Sequence, residues 1–118
     1  MVGVIGSAVG SSASAYPGNW ACPNGQICFF QDANWQQMFD SGWPSTSFNG
    51  FKTEPSYYQD IMSSWTNNGW SSGAWYTGPA GSGACYGVHY QDAHAQVEDN
   101  DAMVSWTGYD GCPQNDNP

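Results

Sequence analysis

Few side chains in this sequence could do chemistry, and their types narrow what that chemistry is. His89 and His94, the only two histidines, sit in "HYQDAH". A spacing of five fits neither one face of a helix nor one face of a strand. No third ligand or nucleophile motif points at them, so they read as polar surface residues and the chain reads as a non-enzyme. Lys52 is the only cationic side chain, against ten carboxylates, and the formal net charge is −9. Nothing here can neutralise phosphates, which argues against nucleic-acid and membrane-surface partners. The same excess suits cations or a basic groove on a protein partner, and it also keeps a secreted protein soluble. The most suggestive pattern is a pair of segments. "QDIMSSW" (Gln59 to Trp65) and "NDAMVSW" (Asn100 to Trp106) share Asp, Met, Ser and Trp at matching places. Such Asp and Ser residues can also serve only as turn caps, bonding the local backbone.

Four cysteines in a short chain point to two disulfides and an oxidising compartment. "CPNGQIC" (Cys22 to Cys28) holds Asn24-Gly25, a strong turn signal. A strict two-residue hairpin would put Cys22 and Cys28 on opposite faces, whereas a looser turn centred on Gly25 sets them opposite each other. The expectation is a Cys22–Cys28 bridge across an irregular turn, stabilising by ~2 kcal/mol. Cys85–Cys112 then closes the longer loop and contributes ~3–4 kcal/mol. Zinc is disfavoured, because no Cys-x-x-Cys knuckle is present.

The elements that must position these residues are short. The chain is long enough for one domain of 118 residues. It has no Leu, and its apolar weight sits in seven Trp, seven Tyr and five Phe. That composition disfavours a helical bundle and favours many short strands joined by turns. Most of the Trp residues are expected in the core. Ile27–Phe30 reads as a strand, "QDANW" as a turn and "QQMFD" as the return strand. "SGWPSTSFNG" is a loop by composition, and Thr66–Gly73 is the joint between two halves. Ala74–Tyr90 reads as strand, Gly-rich turn, strand. No stretch of ten residues keeps a helical period, so only short helical turns are expected, and none is long enough to span a membrane. "VGVIGSAVGSSASA" is small and apolar, with Ala13-Ser14-Ala15 fitting a small-x-small cleavage site, though no basic region precedes it. Residues 1–19 are therefore expected as a signal-peptide remnant or flexible tail, 20–113 as the domain, and 114–118 as a loose tail.

Two internal registers compete. "QDANWQ" echoes "QDAHAQ" at an offset of 60, whereas the Asp60 and Asp101 segments are offset by 41. Only nine positions separate Asp92 from Asp101, too few for two strands and a turn. Aligning "CFFQ" (Cys28 to Gln31) with "AWYT" (Ala74 to Thr77) leaves 30 positions from Phe30 to Asp60 and 25 from Tyr76 to Asp101. Each span holds a four-strand unit, about 20–68 and 69–113, and the QDA echo is chance.

A duplicated unit with an aromatic strand start, a Gly seven residues on and an Asn/Asp-Asn/Asp-x-x-Ser/Thr-Ser stretch resembles the βγ-crystallin Greek-key domain. The opening "CPNGQIC" is similar to secreted bacterial members grouped with the microbial metalloproteinase-inhibitor family. The match is uneven. Tyr76 to Gly83 satisfies the aromatic-x6-Gly spacing, but Phe30 leads to Gln37 where Gly is expected. Gln59 stands where Asn or Asp is usual, and Val104 where a hydroxyl should be.

The resemblance implies an all-β fold, two four-stranded Greek-key units packed as a β-sandwich, and two crossed calcium sites. Carried over, one site uses the Ile61 carbonyl, the Ser63 hydroxyl and the Asp101 side chain. The other uses the Ala102 carbonyl and the Asp60 side chain. Carbonyls near Gln31 and Thr77 complete them. Calcium takes six to eight oxygens at ~2.4 Å, many of them neutral carbonyls. Val104 offers no oxygen, so the second site is expected to be weak or absent. The implied function is a secreted, monomeric, non-catalytic inhibitor of an extracellular protease. The alternatives are a calcium-stabilised module without inhibitory activity, or a glycan-binding or toxin-like module on the same scaffold. No inhibitory loop is identified. Ser41–Pro55 is long, Pro-punctuated and holds the only Lys, but it fits an inert surface excursion equally well.

Overall fold

The computed structural model describes residues 18–43, 50–109 and 112. The expectations for the N-terminal tail up to residue 17, for the C-terminal tail and for residues 44–49 of the Ser41–Pro55 stretch fall outside those residues. Within them lie strands β1 (Ile27–Asp32), β2 (Gln36–Gly42), β3 (Phe51–Thr53), β4 (Ser64–Asn67), β5 (Gly73–Tyr76), β6 (Cys85–Val88), β7 (Asp92–His94) and β8 (Ser105–Thr107). Helical structure among the described residues is confined to three single 3-10 turns, at Asn19–Ala21, Ser56–Tyr58 and Pro79–Gly81.

The strands form two four-stranded antiparallel sheets, ordered β2-β1-β4-β7 and β3-β8-β5-β6. The third strand of each half crosses into the other half's sheet: β3 pairs with β8, and β7 pairs with β4. Neither sheet can form from one half of the chain. In the first sheet Cys28, Phe29 and Phe30 face Thr66, Trp65 and Ser64. In the second, Ala74, Trp75 and Tyr76 face Thr107, Trp106 and Ser105. The "CFFQ"/"AWYT" register is thus the one the sheets use. The QDA echo joins unlike places, the end of β1 and the start of β7.

The Ser shared by the two repeated segments pins each half's first hairpin. Ser64 donates its hydroxyl to the Asp32 carbonyl (2.7 Å) and accepts the Trp35 amide (3.1 Å). Ser105 donates to the Gly78 carbonyl (2.6 Å) and accepts the Gly81 amide (3.0 Å). The hairpin backbone must also turn left-handed. Gly83 does so at φ 80°, and a Cβ there would lie 2.4 Å from Thr77 Oγ1. Gln37 holds the matching place in the first half at φ 60°. The departure from glycine therefore changes the residue and not the backbone shape.

The core between the sheets is Ile27, Phe29, Met62, Trp65, Trp75, Val88, Val97, Met103 and Trp106. Three tryptophans are fully buried, but Trp20, Trp43 and Trp70 are exposed, so fewer fill the core than composition implied. All three lie in turns or just beyond strand ends, where no opposing sheet covers them. Both expected disulfides are present, Cys22–Cys28 and Cys85–Cys112, with Cα separations of 5.8 and 5.6 Å. The turn inside the first is irregular. Gly25 sits at φ 88°, and its amide and the Asn68 amide bond reciprocally (2.8 Å each) to the Asn68 and Gln26 carbonyls.

A non-glycine residue held left-handed is strained by ~1 kcal/mol. Gln37 is exposed, so Gln37→Gly is expected to raise stability by about 0.5–1 kcal/mol. Gly83→Ala is expected to lower it by more, because both strain and the Thr77 contact oppose it. Urea midpoints of the two variants decide the matter, and a Gln37→Gly variant less stable than the parent would refute the account.

Candidate functional site

The repeated segments are lashed to each other by matched main-chain bonds. The Asp60 amide donates to the Met103 carbonyl and the Asp101 amide to the Met62 carbonyl, both at 2.9 Å. Each segment is also tied to its own half's first strand. The Ser63 amide donates to the Phe30 carbonyl (2.9 Å), and the Val104 amide to the Tyr76 carbonyl (2.8 Å). Asp60 and Asp101 turn at φ 61° and 60°, a conformation that Asp tolerates better than most residues. This pairing carries each Asp across to the other half's segment.

The result is a recess of about 280 Å³ lined by Gln31, Asp32, Asp60, Ile61, Ser63 and Asp101. Five of the seven residues implied by the resemblance line it. Ser63 donates its hydroxyl to Asp101 Oδ1 at 3.3 Å, across 38 positions of sequence. The lining offers carboxylate, hydroxyl and main-chain oxygen, a hard-oxygen set suited to a hard cation. Among the described residues no three His, Cys, Asp or Glu side chains converge as a metal-holding group. A cation here would therefore depend on carbonyl and hydroxyl oxygens.

Ala102, implied for the second site, and Thr77, implied to complete the pair, do not line this recess. At the mirror position Val104 is nearly buried and carries no side-chain oxygen. The Thr77 hydroxyl already accepts the Ala84 amide (2.9 Å) within its hairpin. Asp32 lines the recess although the resemblance did not point to it. Its signal in the sequence is a carboxylate directly after Gln31, inside the QDA echo.

The remaining candidates have structural roles. Lys52 is not offered freely from the Ser41–Pro55 stretch: its Nζ lies 2.8 Å from Asp40 Oδ1. Burial lowers the Lys52 pKa, but the hydrogen bond and charge of Asp40 outweigh this and hold it above its ordinary value. His89 is exposed and stacks on Tyr90, at 4.4 Å between ring centroids. His94 differs from the surface reading. It is half-buried in β7, where its ring lies flat on Trp65 at 4.9 Å.

Residues 15–88 match the sequence model of peptidase inhibitor family I36. The chain belongs to that family. No curated protein matches the chain. Among solved structures, this I36 chain is similar to a βγ-crystallin from Ciona intestinalis, with 15% identity and a TM-score of 0.56. That likeness covers 70% of this chain and 96% of the other. It is also similar to a βγ-crystallin domain of Abundant Perithecial Protein from Neurospora crassa, described in its Ca2+-bound form. There the identity is 14% and the TM-score 0.57, over 78% of this chain and 97% of the other. At such identities the likeness establishes the fold, βγ-crystallin-like, and nothing finer. Peptidase inhibitors of this family and crystallin domains are non-catalytic kinds of protein.

Proposed function

We propose that this I36 protein is a secreted, non-catalytic inhibitor of an extracellular peptidase, built on a βγ-crystallin frame that one calcium ion stabilises. Family membership over residues 15–88 is the observation that carries the inhibitory reading. Two disulfides and the absence of free cysteines among the described residues favour an oxidising, extracellular setting. A disulfide-braced sandwich would meet a peptidase cleft with little ordering entropy to lose.

The calcium reading draws on the recess. The Gln31 and Ile61 carbonyls, the Ser63 hydroxyl and the Asp101 carboxylate would hold the ion, with Asp32 and Asp60 adding negative charge at the rim. The mirror set, Ala102 with Asp60 and Thr77, lacks a hydroxyl at Val104 and would hold an ion weakly or not at all. A second reading, a glycan-binding module, draws on the exposure of Trp20, Trp43 and Trp70, since flat indoles offer stacking surfaces for sugar rings. Quenching of Trp emission by chitin or cell-wall fragments tests it.

Melting temperature in calcium against EDTA, run beside inhibition of secreted metallo- and serine peptidases, tests the main reading. A calcium-dependent rise together with inhibition of one class is expected; no shift and no inhibition would sink it. A shift without inhibition leaves a calcium-stabilised module only. Calorimetric titration is expected to give one ion per chain. Ser63→Ala is expected to weaken binding about tenfold, or ~1.4 kcal/mol. Val104→Ser is expected to raise the count toward two. A Ser63→Ala variant that binds like the parent would remove the recess from the proposal.

A further inference from the structure

The two halves differ at one core position in a way the fold does not demand. In the second half the Val97 amide donates to the Ser63 carbonyl (2.9 Å), and the Val97 side chain is 1% exposed. The matching bond in the first half runs from the Glu54 amide to the Val104 carbonyl (2.8 Å), and Glu54 is 2% exposed. A carboxyl group thus occupies the place that valine fills in the other half. Neither Glu54 side-chain oxygen meets an N–H or hydroxyl donor.

The groups that act on it come from three strands. From β2 comes Asp40, whose Oδ1 receives Lys52 Nζ and the Ser41 amide (2.8 Å each) and whose Oδ2 receives Trp106 Nε1 (2.8 Å). Lys52 lies on β3 itself, Trp106 on β8, and Tyr58 of the Ser56–Tyr58 turn acts on Lys52. One cation therefore stands against two carboxyl groups, and it is already engaged by Asp40. An ionised Glu54 would be a second, uncompensated buried charge. Protonated, Glu54 carries no charge and can join Lys52, the Ser41 amide and Trp106 as a donor to Asp40.

We propose that Asp40 and Glu54 share one proton as a carboxyl–carboxylate pair, and that this proton locks edge strand β3 onto the sandwich, so that alkaline pH releases it. Strand β3 is three residues long, exposed throughout and paired along its backbone on one side only, with β8; its side chains add the Lys52–Asp40 bond, the Ala80 amide on the Thr53 hydroxyl (2.9 Å) and Phe51 edge-on to Tyr76 (5.5 Å). Titration runs the same way. Burial first, then the hydrogen bond and charge of Asp40, push Glu54 up to about 8 from an ordinary 4.5, outweighing Lys52 and the Trp106 indole, which lower it. Burial raises Asp40 too, but hydrogen bonds from Glu54, Lys52 and Trp106 outweigh it and hold Asp40 below its ordinary value. A carboxyl whose folded value is raised contributes stability that is complete below the unfolded value and lost as pH rises through the folded one. The loss therefore runs from about pH 4.5 to about pH 8. Asp40 acts oppositely, losing its contribution as pH falls below the ordinary carboxylate range.

The test is the urea midpoint from about pH 5 to about pH 9 for the parent, Glu54→Gln and Glu54→Val. The parent midpoint is expected to fall across that range, and both variants to flatten the fall. A parent midpoint that stays level, or a Glu54→Val slope equal to the parent's, overturns the shared proton. Should the variants not fold, carbon-13 titration of the Glu54 carboxyl in the parent decides the point, and an ordinary carboxylate midpoint overturns it. Release of β3 is read separately, by hydrogen exchange corrected for intrinsic rate. Protection of the amides that join Phe51–Thr53 to Ser105–Thr107 is expected to drop about tenfold between roughly pH 7 and pH 9 in the parent and to hold in Glu54→Gln. Equal protection at both pH values overturns the release.

Discussion

The exchange of third strands governs the rest of this structure. With β3 on β8 and β7 on β4, each sheet is completed by the other half of the chain. The exchange forces the repeated segments into contact, where Asp60 and Asp101 bond reciprocally to Met103 and Met62. It also brings the Asp101 carboxylate to the Ser63 hydroxyl. The set of oxygens lining the recess, drawn from both halves, exists only in the folded domain. Any ion bound there is coupled to folding by mass action, since the unfolded chain has no such site.

The same exchange sets what the core can be. With no Leu, the largest side chains between the sheets are three indoles and Phe29, packed among Ile27, Met62, Val88, Val97 and Met103, and large flat rings need flat floors. Trp106 lies over Gly42, where a Cβ would come within 2.6 Å of its ring. Trp35 covers Gly18 in the same manner, and its indole N–H reaches the Trp65 carbonyl at 3.0 Å. Trp106 faces two environments. Its ring packs on Phe29 at 5.1 Å, while its N–H is tied to Asp40. The aromatic core and the carboxyl pair are thus joined through a single side chain.

Much of this was legible in the sequence because the repeated letters encode backbone geometry. Ser64 and Ser105 recur because each pins a hairpin; Asp60 and Asp101 recur because each turns left-handed and bonds across the halves. The disulfides followed from the position of Gly25 and from elimination. What was not legible lay where bonding is done by main chain alone. The strands β3 and β7 have three residues each and no apolar alternation, so nothing in their letters said which sheet they join. The equivalence of Glu54 and Val97 rests on two amide bonds that no side chain announces. The half-burial of His94 is not legible in the sequence because its partner Trp65 is distant along the chain and adjacent only through the β4–β7 pairing.

The differences between the halves fall where the main chain already does the work. Ser63 and Val104 both donate their amides to the end of a first strand, whatever their side chains carry. Glu54 and Val97 both donate to the opposite segment, and Gln37 and Gly83 both turn left-handed. Because the frame at these places asks nothing of the side chain beyond size and a tolerable φ, each half is free to use it differently. The first half places a hydroxyl at the recess and a carboxyl in the core; the second places valine at both. A duplicated fold held by reciprocal backbone bonds can thus carry one oxygen-lined recess and one buried acid without a matching copy of either.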